Sequence, residues 1–200
     1  MRILVIGAGG VGTAAAAIAR HRDFFEAIVL ADLDEDRARA AAAGVGDPRV
    51  TGVACDAADA DAIVALAEAE RADVILNACD PRLNPPIFAA AGRADVTYLD
   101  MAMTLSDPHP DAPHERPGVM LGDAQFAVAD AWEQAGRLAL VGIGVEPGLS
   151  DVFARYAADH LFDHIDEVGV RDGADLVIDG YDFAPTFSIW TTIEECLNPP

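Results

Sequence analysis

The chain opens on a short apolar run, Ile3-Leu4-Val5-Ile6, and four runs of similar length follow: Ala27 to Ala31, Val50 to Ala54, Val74 to Asn77 and Val96 to Leu99. Between them the pattern changes period. Thr13 to Arg20, Asp34 to Ala43, Asp59 to Glu70 and Pro85 to Gly92 carry small and apolar residues three and four apart, with Ile63, Val64, Leu66 and Ala67 on one side of the third. Continuous apolar runs of this length are expected of strands covered on both faces, and the stretches between them of crossover helices. Asp34 reads as a helix start and Gly44 as a stop, while Pro85 is tolerated in a first turn. The alternation predicts an α/β fold with a doubly wound parallel sheet and right-handed crossovers. A helix over Asp123 to Gly136 and a sixth strand over Leu138 to Gly142 extend it, after a loop or lid rich in Pro, His and Asp from Ser106 to Gly118. A helix with an apolar side of Leu149, Val152, Phe153 and Tyr156 comes next. Beyond Ile165, Val168 to Arg171, Leu176 to Ile178 and Phe187 to Trp190 read as strands of a second, mixed sheet. Residues 1–148 are expected to form one domain, and 149–200 a linking helix and the start of a second, α+β domain.

The first strand leads into Gly7-Ala8-Gly9-Gly10-Val11-Gly12, and the second closes on Asp32. Three glycines spaced Gly7-x-Gly9-x-x-Gly12 between strand and helix, with an acid at the next strand's tip, fit the Rossmann dinucleotide fingerprint. Gly7 lets the chain turn, Gly9 lets a pyrophosphate reach the backbone, and Gly12 lets the helix lie close to the sheet. The free N–H groups at the helix start would hold the pyrophosphate, and Asp32 the adenosine ribose. Ligands of such sheets bind beyond the strands' carboxyl ends. That directs attention to the glycine turn, Asp32, Cys55-Asp56, Asn77 to Asp80 and Asp100-Met101.

Composition narrows the partners. Of 200 residues, 34 are acidic and 13 basic, giving a net charge of −21; all the basic residues are Arg, and Lys is absent. A diffuse acid excess argues against nucleic acid or an anionic membrane as a partner. The missing Lys removes a Schiff base or lysine general base from this segment. Hydrophobic content is 52%, without a run long enough to span a bilayer. The first strand begins directly after Met1-Arg2, so no signal peptide is expected and the cytoplasm is the expected compartment. Cys55, Cys79 and Cys196 have no paired spacing, which suits reduced thiols. The five histidines do not form a metal-binding pattern, and no metal is expected.

Several motifs together resemble the saccharopine dehydrogenase-like oxidoreductases. Val5 to Gly12 is similar to that family's opening, Asp73-Val74-Ile75-Leu76-Asn77-Ala78 to its fourth strand, Leu83 to Ile87 to the segment after it, and Tyr98-Leu99-Asp100 to its fifth-strand exit. Gly144-Val145-Glu146-Pro147-Gly148 resembles its Gly-x-Asp-Pro-Gly turn, with Glu in place of Asp. Phe187 to Pro200 resembles the start of its substrate and dimerisation domain, so the chain reads as the amino-terminal part of a longer protein, a homodimer through that domain.

The resemblance implies NAD(P)-dependent hydride transfer at a carbon–nitrogen bond of an amino acid, an amino-acid conjugate or a polyamine. It implies that Gly7, Gly9, Gly10, Val11 and Gly12 hold the pyrophosphate, and that Asp32 with Leu33 meets the ribose. Asp56 and Ala57 would flank the adenine, and Asn77, Ala78 and Cys79 the path to the nicotinamide ribose. Asp32 would repel a 2′-phosphate, so NAD is expected over NADP, with Arg37 the residue that could overturn this. Asp100, Glu146 and Cys79 are the candidate proton donors by their position at strand exits. Ile143 stands where some saccharopine reductases carry Cys, a departure that, with Glu146, points away from saccharopine itself as substrate. Tyr181 and Trp190 are expected in the packing of the second domain. Alternatives are a homospermidine-synthase-like transferase using bound NAD as a redox relay, and a module that binds NAD(H) without turnover. Methyl transfer from S-adenosylmethionine is disfavoured by the full three-glycine spacing.

Overall fold

The structure, a computed structural model, describes residues 1–171, 177–181, 189, 193 and 197. The chain divides into two units, Met1–Leu105 with Gly122–Leu149, and Ser106–Leu121 with the residues from Ser150 onward.

The first unit holds six parallel strands, β1 (Arg2–Ile6), β2 (Ala27–Asp32), β3 (Val50–Ala54), β4 (Val74–Asn77), β5 (Thr97–Asp100) and β6 (Ala139–Leu140). Their order across the sheet is β3-β2-β1-β4-β5-β6, the Rossmann arrangement expected from the alternation of strands and helices. Helices α1 (Gly10–Ala19), α2 (Glu35–Val45), α3 (Ala60–Glu70) and α4 (Asn84–Arg93) make the crossovers, α4 entered through a 3-10 turn at Pro81–Leu83. Because successive strand residues face opposite ways, β1 feeds two cores. Leu4 and Ile6 pack with Ile63 and Ala67 of α3 and Ile87, Ala90 and Ala91 of α4. Val5 packs with Ala16 of α1 and Ala38, Ala42 and Val45 of α2. Register aligns Ile6 with Ala31 and Asn77, Asp32 with Ala54, and Asn77 with Asp100. The strands' carboxyl ends therefore stand level along one edge.

Several expectations are corrected. α2 does not stop at Gly44 but runs to Val45, because Ala38, Ala42 and Val45 form its buried stripe; the stop is Gly46, at φ 69°. The single helix expected over Asp123 to Gly136 is two, α5 (Asp123–Phe126) and α6 (Ala129–Gln134). They have separate anchors: Gln125 turns inward to a buried carboxylate, and Trp132 stacks on Phe88 with ring centres 5.0 Å apart. β6 has only two residues.

In the second unit, α7 (Leu149–His160) forms as expected, and Asp107 pairs with Val119 in an isolated bridge. Val168 to Arg171 alternates like a strand but has no ladder partner among the described residues and forms none. A ladder needs its hydrogen bonds met from a neighbour. Of Leu176 to Ile178, Leu176 lies outside the described residues and Ile178 makes only a bridge to Tyr181, whose ring is exposed rather than packed. Trp190 and the expected strand Phe187 to Trp190 lie, except for Ile189, outside the described residues, as do Leu176 and Cys196. Among the described residues no helix is long and apolar enough to cross a membrane.

Close packing of α2 on β3 gives a direct test. A Cβ added at Gly52 would come within 2.3 Å of the Ala38 backbone, whereas one at Gly44 meets nothing within 4 Å. Gly52→Ala is expected to cost about 2 kcal/mol by forcing helix and strand apart. Gly44→Ala is expected to gain about 0.5–1 kcal/mol from helix propensity alone. Urea denaturation of the two variants reads both signs.

Candidate functional site

The glycines of the first turn are required for different reasons. Gly7 has φ 104°, and a Cβ there would press to 2.8 Å from the Ala78 carbonyl oxygen. A Cβ on Gly12 would lie 2.0 Å from the Gly7 carbonyl oxygen and 3.2 Å from Val5. These two are fixed by the packing of the turn itself. Gly9 and Gly10 have nothing within 4 Å of an added Cβ, so their bareness serves open space. α1 begins in that space. Gly9 caps it without a side-chain hydrogen bond and no acid stands in its first turn. α2 and α3, by contrast, are capped by Asp34 and Asp59, each accepting two backbone N–H groups. The start of α1 thus keeps unpaired donors and an uncompensated positive dipole end, the combination that receives an anion.

Asp32 ties this turn to β2. It is 6% exposed. Its Oδ2 accepts the Ala8 N–H at 3.0 Å, and its Oδ1 accepts the Asp34 N–H at 3.1 Å and a guanidinium N–H from Arg37. Burial pushes its carboxyl up, but the Arg37 hydrogen bond and the two backbone amides outweigh this and hold it below the usual carboxylate range. The expected ribose ligand is therefore also the brace of the glycine turn. Leu33 beside it is exposed, and Arg37 projects outward from the first turn of α2.

The remaining cofactor candidates line the same edge. The Cys55 N–H donates to the Asp32 carbonyl. Asp56 is exposed and accepts the Ala58 N–H, with Ala57 half-buried next to it. Asn77 is buried at the end of β4, and its Oδ1 accepts the Cys79 N–H at 3.0 Å. Ala78 and Cys79 lie directly under Gly7. The Cys79 thiol donates to the Ile6 carbonyl at 3.3 Å. Burial, reinforced by the charges of Asp32 and Asp80, pushes this thiol up to about 11, so it stays protonated at neutral pH.

On the far side of β4 lies a buried polar network that the sequence did not disclose. Asn77 Nδ2 donates to Asn84 Oδ1 at 2.7 Å and to the Tyr98 hydroxyl at 3.1 Å, and Asn84 donates to the Ala102 carbonyl. Burial raises the Tyr98 phenol and the adjacent Asp100 charge adds to this, against the Asn77 hydrogen bond. Asp100, 1% exposed, accepts the Gly142 N–H at 2.7 Å and the Gln125 side chain at 2.6 Å; Gln125 in turn accepts the Thr104 N–H. Asn84 and Gln125 were missed because nothing in the local pattern separates an inward amide from a surface one. The one available signal was Asn84 at the head of an otherwise apolar helix.

The three candidate proton donors are not brought together. Cys79 belongs to the floor of the glycine turn. Asp100 is sealed in the polar network and linked by Gly142 and Ile143 to the following turn. Glu146 is exposed on that turn, Gly144 to Gly148, where the Leu149 N–H closes onto the Gly144 carbonyl.

A family model described as the saccharopine dehydrogenase NADP binding domain matches residues 3–140. Carboxynorspermidine synthase of Vibrio alginolyticus is 32% identical over 183 residues, covering 86% of this chain and 43% of that protein. Carboxyaminopropylagmatine dehydrogenase of Synechocystis sp. is 32% identical over 173 residues, covering 86% and 41%. The chain thus spans roughly two fifths of the length of these curated relatives. Among solved structures, apo saccharopine dehydrogenase (L-Glu forming) from Saccharomyces cerevisiae shares the fold at a TM-score of 0.61 and 18% identity, over 80% of this chain and 31% of that one.

Two outcomes are expected. Asp32→Ala strips two backbone amides and Arg37 of their acceptor, so it should cost roughly 2–3 kcal/mol of stability in addition to any ligand affinity. Because the Asp32 carboxyl is lowered in the folded state, that difference should be full above about pH 4 and shrink as pH falls through the folded value; urea denaturation of both proteins across acid pH checks it. Separately, iodoacetamide should leave Cys79 unmodified at pH 8 in the folded protein. Rapid labelling there, read by peptide mass spectrometry, would contradict a protonated, enclosed thiol.

Proposed function

From the premise that the chain belongs to the saccharopine dehydrogenase family, we propose that it is the dinucleotide-binding part of an oxidoreductase acting on a carbon–nitrogen bond. The observation that carries this is the open space at Gly9 and Gly10 in front of the uncapped amides of α1, at the carboxyl edge of the sheet. The residues fit the group: backbone N–H groups of Gly10, Val11 and Gly12 would hold a pyrophosphate, Asp32 the adenosine ribose, and Asp56 and Ala57 the adenine side. A bound nicotinamide dinucleotide supplies or accepts the hydride. The charge of Asp32 favours NAD, and the Arg37 guanidinium set against it favours NADP.

The substrate class rests on the relatives' names. Carboxynorspermidine and carboxyaminopropylagmatine are carboxylated amines, and we propose a substrate of that kind, a secondary amine carrying a carboxylate. Reduction of an imine by hydride at carbon needs one proton at nitrogen, and the reverse oxidation releases both. We assign the proton-handling role to Glu146, the exposed acid of the three candidates. Asp100 has both oxygens engaged and acts by positioning, and Cys79 lines the path beside Asn77 and Ala78.

Full-length protein supplied with NAD or NADP and a panel of amines, amino acids, 2-oxo acids and aldehydes should change the absorbance of the reduced nicotinamide. Turnover confined to carboxylated amines, or to the amine and carbonyl pairs that form them, is the expected result. Dinucleotide retained through purification, with substrate exchange but no net reduction, would favour the transferase reading instead. Absence of dinucleotide binding altogether would falsify the proposal.

A further inference from the structure

A substrate that carries a carboxylate brings a negative charge to an edge already crowded with acids. Asp32, Asp56, Asp80 and Asp100 all stand at or just beyond the carboxyl ends of strands. The chain has no Lys to answer them, so Arg must supply any fixed cation from these residues. Among the described residues of the first unit, Arg37 after β2 and Arg82 after β4 are the arginines placed between a strand's carboxyl end and the close of the next helix's first turn. The others stand in β1, deeper in helices, at helix ends or ahead of strands. Arg37 is bonded to Asp32, where the adenosine ribose would lie. Arg82 stands on the other half of the edge, directly after Cys79-Asp80-Pro81.

The mount of Arg82 is firm. It is the middle residue of the 3-10 turn Pro81–Leu83. Asp80 Oδ1 accepts the Arg82 N–H at 3.0 Å, and the Asp80 carbonyl accepts the Leu83 N–H at 2.9 Å. Asn84 follows, 1% exposed, bonded to Asn77 of β4 at 2.7 Å and to the Ala102 carbonyl. The Asp80 carboxylate also holds the side chain, with Nε donating to Oδ1 at 2.8 Å and Nη2 to Oδ2 at 2.7 Å. Two parallel bonds set the plane of the guanidinium, although the side chain is 57% exposed. As a stabiliser such an exposed pair contributes little. A guanidinium has a second edge of the same fork geometry, Nη1 with Nη2. That edge need not stand empty beforehand, because an incoming carboxylate can replace an exposed partner at little net cost.

We propose that Arg82 is a substrate-binding residue that receives the carboxylate of the amine on its second guanidinium edge, and so selects carboxylated amines over plain ones. This rests on the reading of the site as a carbon–nitrogen oxidoreductase. The amine nitrogens, cationic at neutral pH, suit an acid-rich edge; the carboxylate alone needs a cation. Two N–H···O bonds from Arg82 hold it in the plane that Asp80 sets, which fixes the reacting carbon relative to the path lined by Asn77, Ala78 and Cys79.

The test is isothermal titration of full-length protein, first with NAD and NADP and then, with dinucleotide present, with carboxynorspermidine and with norspermidine, the same amine without its carboxylate. The proteins compared are the natural sequence, Arg82→Ala, Arg82→Lys and Arg39→Ala, the last removing one positive charge far from β4. The ratio of the two amine affinities within one variant does not depend on the fraction folded. The natural protein should prefer the carboxylated amine. Arg82→Ala should weaken that amine by about tenfold or more, and norspermidine and the dinucleotide by less than about threefold. Arg82→Lys should recover part of the loss, and Arg39→Ala should leave the ratio unchanged. A natural protein that binds dinucleotide but shows no preference for the carboxylated amine, or an Arg82→Ala ratio equal to the natural one, would overturn the proposal and leave the dinucleotide site in place. A natural protein that binds no dinucleotide would remove the underlying reading and the proposal together.

Discussion

The hydrogen bond from the Ala8 amide to the Asp32 carboxylate holds the site together. It joins the glycine turn after β1 to the end of β2, and it does so from a carboxylate almost sealed from water. A buried carboxylate is costly unless its oxygens are satisfied, so the turn, the α2 entry at Asp34 and Arg37 are all drawn to one point. The close contacts of Gly7 with Ala78 and of Gly12 with the Gly7 carbonyl then fix the turn from its other side. What remains unfixed is Gly9 and Gly10, and their openness follows from how tightly everything around them is held.

This explains which parts of the molecule were legible in the sequence. Strands β1 to β5 and helices α1 to α4 were readable because burial on two faces leaves continuous apolar runs, and crossovers leave a 3.6-residue stripe. The glycine turn was readable because Gly7 and Gly12 meet backbone packing demands that other residues cannot, and Gly9 and Gly10 continue the same spacing. The bracing role of Asp32 was not. An acid at a strand end looks the same in sequence whether it waits for a ribose or braces a loop. The end of α2 was misplaced for a related reason: Gly44 fits inside a helix whose stripe continues to Val45, and only Gly46 takes the left-handed conformation.

The β4–β5–β6 side of the edge was less legible, since its order comes from long-range polar contacts. Asn77, Asn84, Tyr98, Asp100 and Gln125 lie far apart in the chain but meet through short hydrogen bonds. Such a network leaves no periodic trace. It splits the expected Asp123 to Gly136 helix by turning Gln125 inward, and it makes Asp100 a structural hub although its position at a strand exit suggested chemistry. The result is a wall of mutually satisfied polar side chains along the strand ends next to the glycine turn.

Charge sets the last constraint. A chain of net charge −21 repels an anionic dinucleotide at long range, and salt screens that repulsion over about 10 Å at moderate ionic strength. Attraction must then be local. The uncapped start of α1 would provide it for a pyrophosphate through fixed partial charges. At the end of β2 the local cation is Arg37, and the Asp32 carboxylate holds it at the start of a helix that would otherwise disfavour it. Asp32 is then the means of keeping a cation at the edge of an acidic protein.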